Sequence, residues 1–225
     1  MTTKVEHVIV LAAGKSLQLD GVNKVLIRHP IDGKTILDHI IDAFSGKKIT
    51  VVVGFCAIEI MQRYPQLNYV INPQWALTNN AMSLGLALDE TPCYVLSGDI
   101  FVNKLLVDRL DREVDDLAVT RNNESRVLSA IHTMVDSNNK IVDVYQGPVR
   151  NISHPETTGI FKISNIAALQ QWKRKCMHHA NLFAGQLLPI ETIDITSVDL
   201  ADDPIWEINT PIDYLNMIYS HQIKQ

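Results

Sequence analysis

Apolar residues follow two rhythms along this chain. Short unbroken runs at Val8 to Leu11, Ile49 to Val53, Tyr69 to Ile71, Tyr94 to Ser97 and Leu117 to Thr120 have the length of strands. Continuous apolar runs suit parallel strands buried on both faces. Between them, Thr35 to Phe44 sets Ile36, Ile40, Ile41 and Phe44 on one helical face, and Asn80 to Leu88 sets Ala81, Leu84 and Leu88 on another. Strand and helix in alternation predict an α/β fold: a Rossmann-like, mostly parallel sheet flanked by helices on both faces.

The rhythm changes after Thr120. Asn/Ser-rich turns at Asn122-Asn123 and Ser137-Asn138-Asn139 separate shorter extended pieces, Leu128 to Val135 and Lys140 to Tyr145, which read as a hairpin with Asn138-Asn139 in its tight turn. Thr158 to Ile163 predicts a strand, Ile166 to His178 a helix and Ile193 to Ile195 a returning strand. A last helix begins near Pro211, because proline suits a first helical turn. The plan is a single domain over residues 1–225: an α/β half at 1–120, a small sheet insertion at 121–192 and a C-terminal return at 193–225.

At 225 residues the chain is long enough for one substantial core. Its net charge of -5, with no long Lys/Arg run, argues against a nucleic-acid partner, which would need a concentrated basic face. Cys56, Cys93 and Cys176 are odd in number and form no CxxC pair, so they predict reduced thiols and neither a disulfide frame nor a zinc site. No apolar run approaches the roughly 20 residues of a membrane helix, and the start of the chain is too charged for a signal peptide. The expectation is a soluble, cytoplasmic protein without a membrane partner.

Chemistry gathers where strands end. After the first strand the chain reads LAAGKSLQL, whose Gly14-Lys15-Ser16 is the tail of a P-loop. That motif needs another glycine five positions earlier, and Ile9 stands there inside the strand. The P-loop reading, and with it a kinase or ATPase, is thereby weak. The two alanines and Gly14 still let backbone approach a ligand closely, and Lys15 and Lys24 bracket the loop with positive charge. Ser97-Gly98-Asp99 places a carboxylate at the C-terminal edge of another strand, where open α/β sheets bind ligands. The alternative is that Asp99 caps a helix starting near Val102.

Taken in order, LAAGKSLQL, Lys24, VVGF at Val52 to Phe55, NNAMSL at Asn79 to Leu84, SGD at Ser97 to Asp99 and EINTPIDY at Glu207 to Tyr214 resemble the MobA-like NTP transferases. The resemblance spans nearly the whole chain. Within these nucleotidyltransferases the NN..SL element and the ending look most like cytidylyltransferases that activate phosphocholine or phosphonates such as 2-aminoethylphosphonate. It implies transfer of CMP from CTP to a small phosphate or phosphonate acceptor, with Mg²⁺ as cofactor. A sugar-1-phosphate nucleotidyltransferase using another NTP and a non-catalytic nucleotide sensor are the alternatives. A symmetric homodimer is an assembly common among soluble proteins of this kind.

Roles follow from the resemblance. Leu11, Ala12, Ala13 and Gly14 would wrap the nucleotide, with Gly98 beside them. Lys24 would steady the reacting phosphate, and Asp99 and Asn209 would hold Mg²⁺. Asn79, Asn80 and Ser83 match the stretch that reads base and ribose, and Gly54 and Phe55 the wall of the base pocket. Tyr145, Arg150, His154 and Glu156, in or beside the insertion, are candidates for acceptor binding, as is Glu207, which is also a possible outer helper at the metal. The chain departs from the family's AAGxGxRL followed by Pro-Lys: Ser16 replaces the second glycine, Gln18 the arginine, and Asn23 the proline. Glutamine cannot make a charged bidentate contact with phosphate, and Lys15 is the expected compensator.

Overall fold

The computed structural model describes residues 4–113, 116–122, 128–200 and 205–222. Asn123 of the predicted Asn122-Asn123 turn lies outside them. In chain order the strands are β1 (His7–Ala12), β2 (Lys48–Val53), β3 (Asn68–Ile71), β4 (Cys93–Ser97), β5 (Ile100–Phe101), β6 (Leu117–Arg121), β7 (Ile131–Val135), β8 (Ile141–Gln146), β9 (Glu156–Ile163), β10 (Thr196–Asp199) and β11 (Trp206–Glu207). The α-helices are α1 (Ile36–Ala43), α2 (Ala57–Arg63), α3 (Asn80–Ala87), α4 (Lys104–Leu110), α5 (Ile166–His178) and α6 (Pro211–Gln222).

The main sheet runs β10-β6-β9-β4-β1-β2-β3. Strands β1, β2, β3 and β4 pair in parallel, as does β10 with β6, while β9 runs antiparallel between β4 and β6. Successive residues of one strand enter opposite cores, as a doubly covered sheet requires. Val8 and Val10 pack with α1, α2, α4 and α6, and Ile9 and Leu11 with α3 and α5. The expected α/β class is what the chain adopts.

Several elements differ from the expectations. The strand placed at Ile193 to Ile195 begins instead at Thr196. Ile195 is buried as a plug, whereas Thr196 to Asp199 form a half-exposed edge strand with no apolar run to mark it. The strand expected from Leu128 starts at Ile131. Among the described residues of 121–192, β7 and β8 extend sideways from the main sheet, and β9 lies in its centre, where its residues are mostly buried. The hairpin turn does use Asn139 in the left-handed conformation, φ 59°.

The two-residue ribbon of β5 against β11 was not predicted, because periodicity has no meaning over two residues. It pairs Ile100 with Glu207 and Phe101 with Trp206, and the Ile208 N–H donates to Asp99 O at 2.9 Å. This ribbon ties the C-terminal return to the end of β4. The helix after it, α4, is capped by Asn103, whose side chain accepts from Leu106 N–H at 2.9 Å. Asp99 is therefore not a helix cap. Among the described residues no helix is long and apolar enough to cross a membrane.

Candidate active site

The order of strands reverses at β1, which has β2 on one side and β4 on the other, and the crevice beyond their C-terminal ends is the expected ligand position. There the backbone is packed too closely for side chains at two glycines. The Gly98 N–H donates to Leu11 O at 3.0 Å, and a Cβ at Gly98 would stand 2.7 Å from that oxygen. A Cβ at Gly54 would stand 2.8 Å from Ala13 O and 2.6 Å from the Trp75 side chain.

Asn23 fastens this loop. Its buried Nδ2 donates to Ala12 O at 2.9 Å and Phe55 O at 3.0 Å, while its Oδ1 accepts from Val25 N–H and so caps the 3-10 turn carrying Lys24. A proline here would have no amide for these bonds. Lys24 is thereby aimed at the end of β4, where Nζ donates to Asp99 Oδ2 at 3.0 Å and to Asn209 Oδ1 at 2.6 Å. Asn209 is itself fixed from the start of α6, since Asp213 Oδ2 accepts from the N–H groups of Asn209 (2.9 Å) and Thr210 (2.7 Å). Residues from three distant parts of the chain thus meet around one ammonium group.

Beside them lies a network of acids around one guanidinium. Arg121 donates to Glu207 at 2.7 Å and approaches Glu156 at 3.4 Å, and Asn209 Nδ2 donates to the other Glu207 oxygen at 2.7 Å. Burial pushes the Glu207 carboxyl above its ordinary range and the charge of Asp99 adds to this, against the pull of Arg121. Arg121 and Asp213 were not anticipated from the sequence. Arg121 ends β6 as Asp99 follows β4, so the strand-end rule that found one also pointed to the other.

Two connected cavities open here. One of about 390 Å³ is lined by Leu11, Ala12, Gly14, Lys15, Gln18, Asn79, Asn80 and Gly98, among others. The second, of about 640 Å³, is lined by Arg121, Glu156, Glu207, Asn209 and Asp213, among others. Lys24 and Asp99 line both. Lys15 also stands 5.4 Å above the Phe55 ring. A Cβ at Gly14 would touch nothing within 4 Å, so the crest of the loop faces open space.

The remaining candidates are distributed unevenly. Asn79 caps α3, and Asn80 Oδ1 accepts from Ala184 N–H at 2.7 Å. Ser83 is buried, with its hydroxyl accepting from Asn72 Nδ2 at 3.1 Å, and lines neither cavity. Ala13, Gly54 and Phe55 form the wall behind the loop and do not line the cavities themselves. Tyr145, Arg150 and His154 make a separate cluster: the guanidinium sits 4.1 Å from the Tyr145 ring centre, and the Tyr145 hydroxyl is 3.1 Å from His154 Nδ1. They line neither cavity, because the tyrosine holds the 147–155 turn against the hairpin.

The donor set suits a hard divalent cation. Asp99 and Asn209 both present oxygens to the same point, and the second oxygen of Asp99 is shielded from water without a hydrogen-bond partner. Mg²⁺ takes oxygen ligands and is commonly held by one or two protein groups together with substrate phosphates.

Residues 8–188 match the family described as the MobA-like NTP transferase domain. Bifunctional protein GlmU of Methanococcus maripaludis (strain C5) is 28% identical over 168 residues, 70% of this chain and 40% of that protein. CMP-5'-(3-aminopropyl)phosphonate synthase of Streptomyces rubellomurinus is 24% identical over 176 residues, 72% of this chain and 28% of that protein. The chain therefore spans less than half the length of these relatives. The structure of CTP:phosphocholine cytidylyltransferase (LicC) from Streptococcus pneumoniae superposes with a TM-score of 0.77 at 16% identity, covering 98% of this chain and 100% of that one. At that identity the likeness is one of fold. Because the family match runs through β1, its loop, Lys24 and Asp99, the chain belongs to the MobA-like NTP transferase domain family.

Proposed function

We propose that the protein is a Mg²⁺-dependent cytidylyltransferase that transfers CMP from CTP to a small phosphate or phosphonate acceptor. An acceptor oxygen attacks the α-phosphorus, the bond to the β-phosphate oxygen breaks, and pyrophosphate leaves. The observation that carries this reading is the convergence of Lys24, Asp99 and Asn209 where the two cavities meet. The names of the Streptomyces synthase and the pneumococcal transferase favour cytosine and a phosphonate or phosphocholine-like acceptor.

In this reading the smaller cavity takes the nucleotide along the backbone of Leu11 to Gly14, and the larger takes the acceptor beside Glu156, Glu207 and Arg121. The reaction joins two anions, so the protein's task is to supply positive charge and alignment. Lys24 supplies one charge at the junction, and Lys15 a second near the entrance, in place of the arginine that Gln18 replaces. Asp99 and Asn209 would hold Mg²⁺, which supplies charge neutralisation of the phosphates. The acids lining the larger cavity favour an acceptor with a cationic end distant from its phosphoryl group, as phosphocholine and aminophosphonates have.

Incubation with CTP, Mg²⁺ and a panel of phosphocholine, aminophosphonates and sugar phosphates, following pyrophosphate, tests this reading. Release with a phosphonate or phosphocholine is expected. Release with none of the panel overturns it. Thermal shifts across CTP, UTP, GTP and dTTP test the base, since a nucleotide that fits should stabilise most.

A further inference from the structure

Next to the β5 and β11 ribbon, three side chains from one short stretch converge. The His29 N–H donates to Lys34 O at 2.7 Å and the Gly33 N–H to His29 O at 3.0 Å, closing a turn in which Gly33 has φ +69°. That turn carries His29 and Asp32, and the adjoining helix α1 carries His39. Asp32 Oδ1 lies 3.6 Å from His29 Nδ1, and Asp32 Oδ2 lies 3.2 Å from His39 Nε2. One ligand atom from each of the three falls within 4.8 Å of the other two.

Tetrahedral bonds of about 2.0–2.1 Å set ligand atoms roughly 3.3–3.4 Å apart, close to the 3.2 Å between Asp32 Oδ2 and His39 Nε2, while the other oxygen of the same carboxylate stands 3.6 Å from His29 Nδ1. The imidazoles are also held in orientation. Their ring centres are 5.2 Å apart, and Phe101 packs against them nearly edge-on, at 5.4 Å from His29 and 5.2 Å from His39. Asp32 Oδ1 accepts from Lys34 N–H at 2.9 Å, the kind of outer hydrogen bond that orients a ligating carboxylate. Asp32 is the most exposed of the three, which gives an ion a way in and leaves water a place beside it.

We propose that His29, Asp32 and His39 bind one borderline divalent ion of the Zn²⁺ type, with solvent completing its coordination. Two imidazole nitrogens and one carboxylate select zinc, copper or nickel over magnesium, so this site is chemically distinct from the all-oxygen pair Asp99 and Asn209. The bound ion pins the 28–35 turn to α1 against Phe101, two residues along the chain from Asp99. The proposal does not depend on which reaction the protein catalyses.

Calorimetric titration of the chelator-treated full chain with Zn²⁺ at neutral pH tests it, together with the visible spectrum of the Co²⁺ form. One ion per chain with a tetrahedral cobalt spectrum is expected. Asp32→Asn and His39→Ala should each weaken binding by more than roughly tenfold and remove the spectrum, whereas Asp99→Asn should leave both intact. Asp32 is on the surface, so Asp32→Asn decides the matter even where His39→Ala folds poorly. Absence of Zn²⁺ binding, an affinity unchanged by Asp32→Asn, or binding abolished by Asp99→Asn overturns the proposal.

Discussion

Lys24 Nζ and Asn209 Oδ1 are 2.6 Å apart although 185 positions separate them in the chain, and the same ammonium reaches Asp99 at 3.0 Å. The lysine thus shares its oxygen partners with any cation that Asp99 and Asn209 hold. On the proposed reading, ammonium and divalent ion compete for these oxygens when no nucleotide is bound. Lys24→Met should therefore tighten Mn²⁺ binding, measured by electron paramagnetic resonance, by roughly tenfold, the effect of one nearby charge in a partly shielded setting. The same variant should slow transfer. Weaker Mn²⁺ binding would show that Lys24 supports the cation instead of competing with it.

Asp99→Asn should lower the transfer rate by roughly 10²-fold or more while leaving the melting temperature nearly unchanged, because the carboxylate charge lost is the one that would hold the cation neutralising the reacting phosphates. Asparagine keeps the shape and can still accept from Lys24. Rates within a few-fold of wild type would remove Asp99 from the reaction centre.

Lys15 and Gln18 both line the smaller cavity. If Lys15 compensates for the arginine that Gln18 replaces, Lys15→Ala should cost about tenfold in kcat/KM, and adding Gln18→Arg to it should restore most of the loss. A double-mutant cycle reads the coupling. Strict additivity of the two changes would mean that they do not serve the same phosphate.

Asn23→Ala removes the two bonds from Nδ2 and the cap on the Lys24 turn. Leaving carbonyls at Ala12 and Phe55 without this partner should cost about 2–3 kcal/mol in denaturant unfolding. Nucleotide affinity should fall as well, since the loop loses its clasp. A loss below about 0.5 kcal/mol, the ordinary scatter of surface changes, would contradict the assigned role.

Glu207 gives a pH test. Its carboxyl is raised above the ordinary 4.5 in the folded protein, by burial first and by Asp99 second. Below the ordinary value both folded and unfolded chains keep the proton, and the contribution to stability is fully present. As pH rises through the raised value it is lost, because the unfolded chain gives up its proton more readily. Glu207→Gln stays neutral, so the stability of wild type minus variant should decline from acid toward neutral pH and then level off. Unfolding in denaturant across that range measures it, and a difference that grows with pH would contradict the assigned environment.

The sequence by itself determined the α/β class, the strands that fill both cores and the two strand ends where chemistry gathers. It could do so because strands buried on both faces are largely apolar and a loop packed closely against neighbouring backbone must be small, and these leave local marks at Val8 to Leu11 and Ala12-Ala13. Lys24 and Asp99 were legible as charges beside the first loop and at a strand end, whereas Asn209, and the roles of all three, came only through the family resemblance. Their meeting depends on a ribbon of two residues per strand, Ile100-Phe101 against Trp206-Glu207, which is too short to produce any pattern. Edge strand β10, the pairing of Arg121 with Glu207 and the turning of Ser83 into the interior were likewise decided in three dimensions. Each depends on which distant neighbour satisfies a backbone or buried polar group, and that information is not carried by spacing along the chain.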